Sequence, residues 1–433
     1  MTKKPLNNQV KKDTILLVGS VIPAVARSLA TMNKEVGVKY KYLLLTDSKG
    51  YEQIRDKEGL EVFEDILMVD ANSEKSITDI LSPYRDRLLA VTCRSEAMIP
   101  FFQKIIPHIP YLRTPTGDSL TWSTNKLAMR RRFRVYDRKI TPKFMVVSDA
   151  KKITLKEIDK KIGFPLVIKP SGLASSLLVS ICFHQEELEK SLKRILRRIN
   201  RIHKEAKGRG EPQILVEQFI DGDMYSVDGY VNSRGKVYFC PLVSVKTGKS
   251  VGFDDFFAYQ TMTPTTLNKE SIKAAEEVSL KAVHALGLRS ITAHIELLKT
   301  EKGWKVIEVG PRIGGFRQKM YELSFGINHT ANDIFIRIPR RPKPFRRVKG
   351  HTAVLKIFAK DEGRIMSLTG IKKVQTLKSF NTITVNQKVG DKAIFAKHGG
   401  KSIFNITLFN KDRSRLLADI RRLEQMIKIV TKK

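Results

Sequence analysis

Residues 293–312 read AHIELLKTEKGWKVIEVGPR. Two largely apolar runs, 293–297 and 305–309, flank the turn Glu301-Lys302-Gly303, and each carries one glutamate. Antiparallel pairing of these runs would set Glu296 and Glu308 side by side on one face. Adjacent carboxylates repel unless a cation lies between them. Magnesium takes oxygen ligands, typically one or two carboxylates completed by phosphates and water, so the pair is a candidate metal site. His294 alternates in phase with Glu296 and is expected to face the same site, as a structural or a catalytic residue.

Upstream, apolar runs at 15–18, 42–45, 66–69 and 88–92 alternate with helical spacing at 24–31 and 99–106. That alternation implies βαβ units and a parallel sheet. Ligands of open parallel sheets sit beyond the carboxyl ends of the strands, which makes Glu96, just past the fourth run, a candidate contact. No GxGxxG follows Gly19.

Between these regions lie a helix at 125–136 with Lys126 and Arg130-Arg131-Arg132, and a strand at 166–168 ending in Lys169-Pro170. A small polar segment, 171–176, follows, then a hinge-like stretch at 217–222 and a helix at 269–286 closed by Gly287. A nucleotide needs cations for its phosphates, close-approaching small residues, an apolar slot for its base and carboxylates for its metal. The order of these pieces supplies each. Residues 339–344 (Pro-Arg-Arg-Pro-Lys-Pro) read as a stiff basic linker, and short strands with a final amphipathic helix near 414–430 complete the chain.

The 433 residues exceed one compact core, and 42% apolar against 28% charged residues suits a folded, water-soluble chain. No apolar run approaches the roughly 20 residues of a membrane span. The basic start, MTKKPLNNQVKK, has no apolar segment after it and is not read as a signal peptide. Three scattered cysteines, Cys93, Cys182 and Cys240, suit a reducing, cytoplasmic setting and suggest no zinc site. The net charge of +35 would attract anions. Its densest stretch, 190–204, interleaves basic residues with Leu188, Leu192, Ile195, Ile199 and Ile202 at helical spacing. A helix with a solvated basic face is the favoured reading over a dedicated nucleic-acid or membrane surface, for which no recognition motif is present.

Residues 126–328 resemble the ATP-grasp superfamily. The matching pieces are Asn125-Lys126 with Arg130, Phe164 to Pro170 with its small loop, Val216 to Gly222, Tyr225-Ser226-Val227-Asp228, and Glu308 to Arg312 with Gly314-Gly315. Within the superfamily the chain looks most like carboxylate–amine ligases similar to L-amino-acid ligases, with a biotin-carboxylase-like architecture. The resemblance implies a multidomain α/β and α+β fold. An N-terminal parallel α/β domain would span 1–115, a two-lobed ATP-grasp core 116–338, and a strand-rich lobe with a final helix 339–433. It implies an ATP- and magnesium-dependent ligase that joins a small-molecule carboxylate to an amine through an acyl phosphate, with an amino acid among its substrates. Specific nucleic-acid binding is not expected; a homodimer is allowed.

Residue by residue, the resemblance implies that Lys126 and Lys169 hold ATP phosphates and that Ser175 and Ser176 lie on a loop over them. Glu217, Phe219 and Ile220 would meet adenine, Glu217 and Phe219 through their backbone groups. Glu296 and Glu308 would bind magnesium. Arg312, with Lys169, would stabilise the transferring phosphoryl group. Phe316 would line the substrate pocket; apart from the resemblance, Glu96 joins it as a candidate from its place past the fourth run, and Gly315 because a glycine lets the backbone pass close to a ligand. Two positions depart from the family pattern. Gly310 stands where an asparagine usually gives a metal oxygen, and Met224 stands where a glutamate usually meets the ribose. These leave open a catalytically impaired nucleotide-binding regulator as the alternative, with an anionic-surface binder behind it.

Overall fold

The computed structural model describes residues 12–19, 23–52, 54, 59–147, 155–171, 178–205, 213–253, 255, 257–338, 340–344 and 347–432. Ser175 and Ser176 lie outside the described residues. All five residues of β1 (Thr14–Val18) are buried. Leu16 and Val18 enter one core while Ile15 and Leu17 enter another, because successive strand residues point to opposite faces. A strand covered on both sides needs an unbroken apolar run, and 15–18 is one. With β2 (Lys41–Thr46), β3 (Asp65–Met68) and β4 (Leu88–Cys93) it forms a parallel sheet of order β3-β2-β1-β4. The helix Pro23–Val36 connects β1 to β2, the helix Glu74–Leu81 lies between β3 and β4, and the helix Ile99–Ile105 follows β4.

A second, antiparallel sheet contains β5 (Phe144–Val147), β6 (Leu166–Pro170), β7 (Ser180–Cys182) and β8 (Ile214–Gln218) in the order β5-β8-β6-β7. The helix Gln185–Glu205 packs Leu188, Leu192, Ile195 and Ile199 on it. Lys193, Arg194, Arg197 and Arg198 on the opposite face are exposed, which is the solvated basic face that the spacing predicts.

The third sheet is nine-stranded and antiparallel. Its members are β9 (Asp223–Val231), β10 (Val237–Phe239), β11 (Val243–Thr247), β12 (Ala258–Thr263), β13 (Ile291–Thr300), β14 (Gly303–Gly310), β15 (His351–Ile357), β17 (Phe380–Val385) and β19 (Phe404–Asn410). The order is β14-β13-β9-β11-β12-β15-β19-β17, with β10 on β9. The pairing of β12 with β15 carries the hydrogen-bond ladder across positions 338–339. One face packs on the helix Lys269–Ala285 and is continuous with the core of the N-terminal sheet.

A small sheet of order β18-β16-β20 closes the chain, formed by β16 (Gly363–Thr369), β18 (Lys392–Ala393) and β20 (Lys428–Lys432). The final helix therefore ends earlier than the spacing predicts. It covers Arg413–Met426, and the last element is a strand. The tail alternates Ile429 and Thr431 inward with Lys428, Val430 and Lys432 outward, a period that pairing with β16 selects over helix. Among the described residues, no helix is long and apolar enough to cross a membrane. Cys93, Cys182 and Cys240 are buried, and none of them forms a disulfide among the described residues.

Candidate active site

Glu296 on β13 and Glu308 on β14 are direct register partners. The next pair is Leu297 with Val306, so Ile307 is the extra residue of a β-bulge. A bulge disrupts the local ladder and turns backbone groups away from it. The carbonyls of Ile307 and Val306 accept from Arg130 NH2 at 2.8 Å and NH1 at 3.4 Å. Arg130 is 1% exposed and sits in the helix Lys126–Asp137, whose N-terminus Asn125 caps by accepting from Leu127 N and Ala128 N. Its Nε meets Glu217 Oε1 at 2.5 Å, and Lys169 Nζ meets Glu217 Oε2 at 2.6 Å. Lys169 and Glu217 share a face of the second sheet because Glu217 is opposite Val167. The relay Lys169–Glu217–Arg130 thus ties the second sheet to the hairpin that carries the paired glutamates.

Electrostatics follow from that burial. Burial alone would raise the pKa of Glu217, but Arg130 and Lys169 outweigh it and hold the carboxyl at about 2. Burial lowers the pKa of Lys169, and Arg130 and Lys126 add to the effect against the opposing pull of Glu217. Lys169 is a crowded cation, and anionic phosphate oxygens nearby would relieve it.

Lys126 Nζ lies 3.2 Å from Glu308 Oε1. For Glu296, burial raises the pKa, while His294, Arg312 and Lys126 outweigh it and keep the group anionic. Among the described residues, no three His, Cys, Asp or Glu side chains form a metal cage by themselves. Two facing carboxylates with an ammonium already held against one of them fit magnesium, whose remaining oxygens come from phosphates and water.

Behind Glu296 lies a buried network in which His294 is the member that the strand alternation points toward the site. Asp228 is wholly buried on β9, opposite His294. Its Oδ1 lies 2.6 Å from His294 Nδ1, and its Oδ2 accepts from His329 Nε2 at 2.8 Å and Gly314 N at 2.9 Å. The far nitrogen of His294 lies 3.7 Å from Glu296 Oε1. Burial disfavours the charged imidazole, yet Asp228 and Glu296 raise its pKa on balance. Gly314 is fixed by this network, because an added Cβ would stand 2.4 Å from His294 Nδ1. Asp228 lies inside the motif Tyr225-Ser226-Val227-Asp228; His329 follows Asn328 with no sequence signal at all.

Arg312 follows β14 and crosses to the N-terminal sheet, where its Nε and NH2 meet Glu96 Oε2 at 3.0 and 2.8 Å. Gly315 is exposed, and nothing stands within 4 Å of where its Cβ would be. Phe316 is half-buried in the left-handed region at φ 62° and caps the helix Arg317–Phe325. Lys356 of β15 places its ammonium 5.6 Å from the centre of the Phe316 ring.

At the opposite end, Phe219 and Ile220 are half-buried just past β8, and Lys249 Nζ lies 5.2 Å from the Phe219 ring centre. The N–H of Phe219 donates to Pro165 O at 3.0 Å, so in this conformation that group is engaged within the protein. Met224 shares the strand face of Ser226 and Asp228, whereas Asp223 is on the other. A groove of about 520 Å³ elsewhere, lined by Glu35, Asn328, Arg340, Arg341 and Lys343 among others, contains none of these groups.

The chain matches the ATP-grasp domain over residues 162–319. Formate-dependent phosphoribosylglycinamide formyltransferase of Ignicoccus hospitalis is 30% identical over 36% of this chain and 37% of its own length. Alanine–anticapsin ligase of Bacillus amyloliquefaciens is 28% identical over 36% of this chain and 35% of its own. The chain thus spans well under half the length of these curated relatives. The crystal structure of an L-amino acid ligase from Bacillus licheniformis superposes with a TM-score of 0.73 at 19% identity, covering 98% of this chain and all of the other. That likeness establishes the fold.

Proposed function

We propose, from the match to the ATP-grasp domain over residues 162–319, that the chain is an ATP-dependent carboxylate–amine ligase with an amino acid among its substrates. One observation carries the reading. The relay Lys169–Glu217–Arg130 joins a cluster of buried cations to the hairpin that bears the Glu296–Glu308 pair, with Arg312 just beyond β14. Lys126 and Lys169 would hold the phosphates of ATP. Glu296 and Glu308 would hold magnesium, which when bound would neutralise phosphate charge. Arg312 would stabilise the charge on the transferring phosphoryl group. A substrate carboxylate oxygen attacks the γ-phosphorus in line and ADP leaves. An amine then attacks the acyl carbon, phosphate departs, and the amine loses one proton. Chemistry of this kind depends on positioning and charge stabilisation more than on covalent help from the protein.

Glu96 would turn from Arg312 to the ammonium of an amino acid, and Gly315 and Phe316 would line its pocket. Ser175 and Ser176 would contribute to ATP binding. The deciding experiment is a screen of amino acids, dipeptides and small carboxylates for substrate-dependent ADP release. Release with wild type and none with Glu308→Gln supports the reading. ATP binding without release from any mixture would overturn it in favour of a nucleotide-binding regulator.

A further inference from the structure

Among the described residues, two cations near Arg312, Arg317 and Lys356, have no carboxylate of their own. Arg317 is 4% exposed, at the start of the helix Arg317–Phe325. Its NH2 donates to Ser226 Oγ at 2.7 Å, and its NH1 lies 3.2 Å from Gly315 O and 3.3 Å from Met320 Sδ. Its Nε is buried without a hydrogen-bond partner among the described residues. Lys356 is the second cation, half-buried on β15. It shares a strand face with Val354, which packs on Met320, Tyr321 and Phe325 of the same helix. An apolar residue would continue that face; a lysine brings its ammonium to the Phe316 ring instead. Neither Arg317 nor Lys356 makes an ion pair among the described residues.

Nearby carboxylates are committed elsewhere. Glu96 meets Arg312, Asp228 serves His294, His329 and Gly314, and Glu296 lies beside His294. Burial, Arg317 and Arg312 disfavour the charged form of Lys356, and Glu296 opposes them. Like charges side by side with one of them buried and the other half-buried repel, and an anion placed between them would offset that repulsion.

We infer that Arg317 and Lys356, against Phe316, form a subsite for a second anionic group, so that the amino-acid substrate is a dicarboxylic or a phosphorylated one. The inference rests on the ligase reading for its reaction but not for its binding. Carboxylate and phosphate share the needed charge and acceptor oxygens.

The test is calorimetric binding to the whole protein with MgADP present. L-glutamate is compared with L-glutamine, and O-phospho-L-serine with L-serine, on wild type, Lys356→Met and Arg317→Gln. At least one anionic member should bind its neutral counterpart's site about tenfold tighter or more, the worth of one charge-assisted hydrogen bond. Whether glutamate or phosphoserine shows the larger ratio separates carboxylate from phosphate. The ratio should fall to near one in Lys356→Met, while MgADP affinity and melting temperature stay close to wild type. Arg317→Gln keeps a donor toward Ser226 and gives a second reading if Lys356→Met folds poorly. Equal binding within both pairs, or a preference unchanged in both variants, overturns the subsite. ADP release is measured in parallel: anion preference without release counts against the ligase reading alone, and release with no anion preference counts against the subsite alone.

Discussion

The Arg130 guanidinium and the Glu217 carboxylate meet at 2.5 Å with both side chains sealed from solvent, across the boundary between two sheets. Removing one member of such a pair strands a buried charge, which typically costs about 3–5 kcal/mol. Glu217→Gln should therefore destabilise the fold by roughly that amount at neutral pH, since both Arg130 and Lys169 lose their counter-charge. The acid dependence has a defined sign. The folded-state pKa is depressed, from an ordinary 4.5 to about 2. Stability from this carboxylate is complete above 4.5 and lost as pH falls through about 2. Urea unfolding of wild type and variant across that window should show the gap closing as pH falls. A constant gap would mean that the ion pair contributes nothing beyond packing.

Lys169 is the member of the relay that faces the proposed phosphate side, and Lys169→Ala leaves Glu217 still paired with Arg130. The fold should hold. ATP binding should weaken by ~2 kcal/mol or more, as expected for a lost charge-assisted contact in a dry site. Calorimetry with MgATP checks this, and unchanged affinity would remove Lys169 from the phosphate site.

Glu308→Gln should abolish ADP formation with little change in melting temperature, because Glu308 is only half-buried and its ion pair with Lys126 is partly open to solvent. Gly310→Asn addresses the same centre from the other direction. An added Cβ there would first meet Arg312 Cζ at 3.5 Å, an ordinary contact, so the variant should fold. Its amide oxygen beside the two carboxylates should lower the magnesium concentration that half-saturates nucleotide binding. An unchanged magnesium titration would mean that water already serves in that place.

What the sequence made legible was periodic. The run 15–18, the alternation through Glu296 and Glu308 and the helical spacing from Leu188 to Ile199 each state a local rule, and each appears in the fold. The same rules are ambiguous at residues 427–431, where Ile427 and Val430 continue a helical stripe while Ile427, Ile429 and Thr431 also alternate. Pairing with β16, a contact more than fifty residues distant in sequence, decides for strand. The side-by-side placement of Glu296 and Glu308 was legible because strand alternation and one short turn fix it locally. Side-chain pairing was illegible where partners are remote: Arg130 and Glu217 are 87 positions apart, and Asp228 and His329 are 101. The bulge at Ile307, which frees two carbonyls for Arg130, has no glycine or other local marker.

Phe316 offers a test in which stability and substrate choice part company. Its φ of 62° lies in the left-handed region, where a bulky residue is strained by about 1–3 kcal/mol relative to its preferred conformations. Glycine adopts that conformation without steric cost. Phe316→Gly should therefore regain part of the strain, offset by lost contact between the ring and Lys356. Phe316→Ala keeps most of the strain and loses the same ring. If the ring serves only packing, both variants should melt below wild type and keep its substrate profile. If it walls the substrate pocket, Phe316→Gly should melt close to wild type, above Phe316→Ala, and both should shift toward bulkier amino acids. A pocket change of one or two methylenes is worth only ~1–3 kcal/mol of discrimination, so the shift in kcat/KM ratios should be graded rather than absolute. Melting curves and a competitive-substrate panel on the two variants distinguish the cases, and an unchanged panel in both would move the pocket away from Phe316.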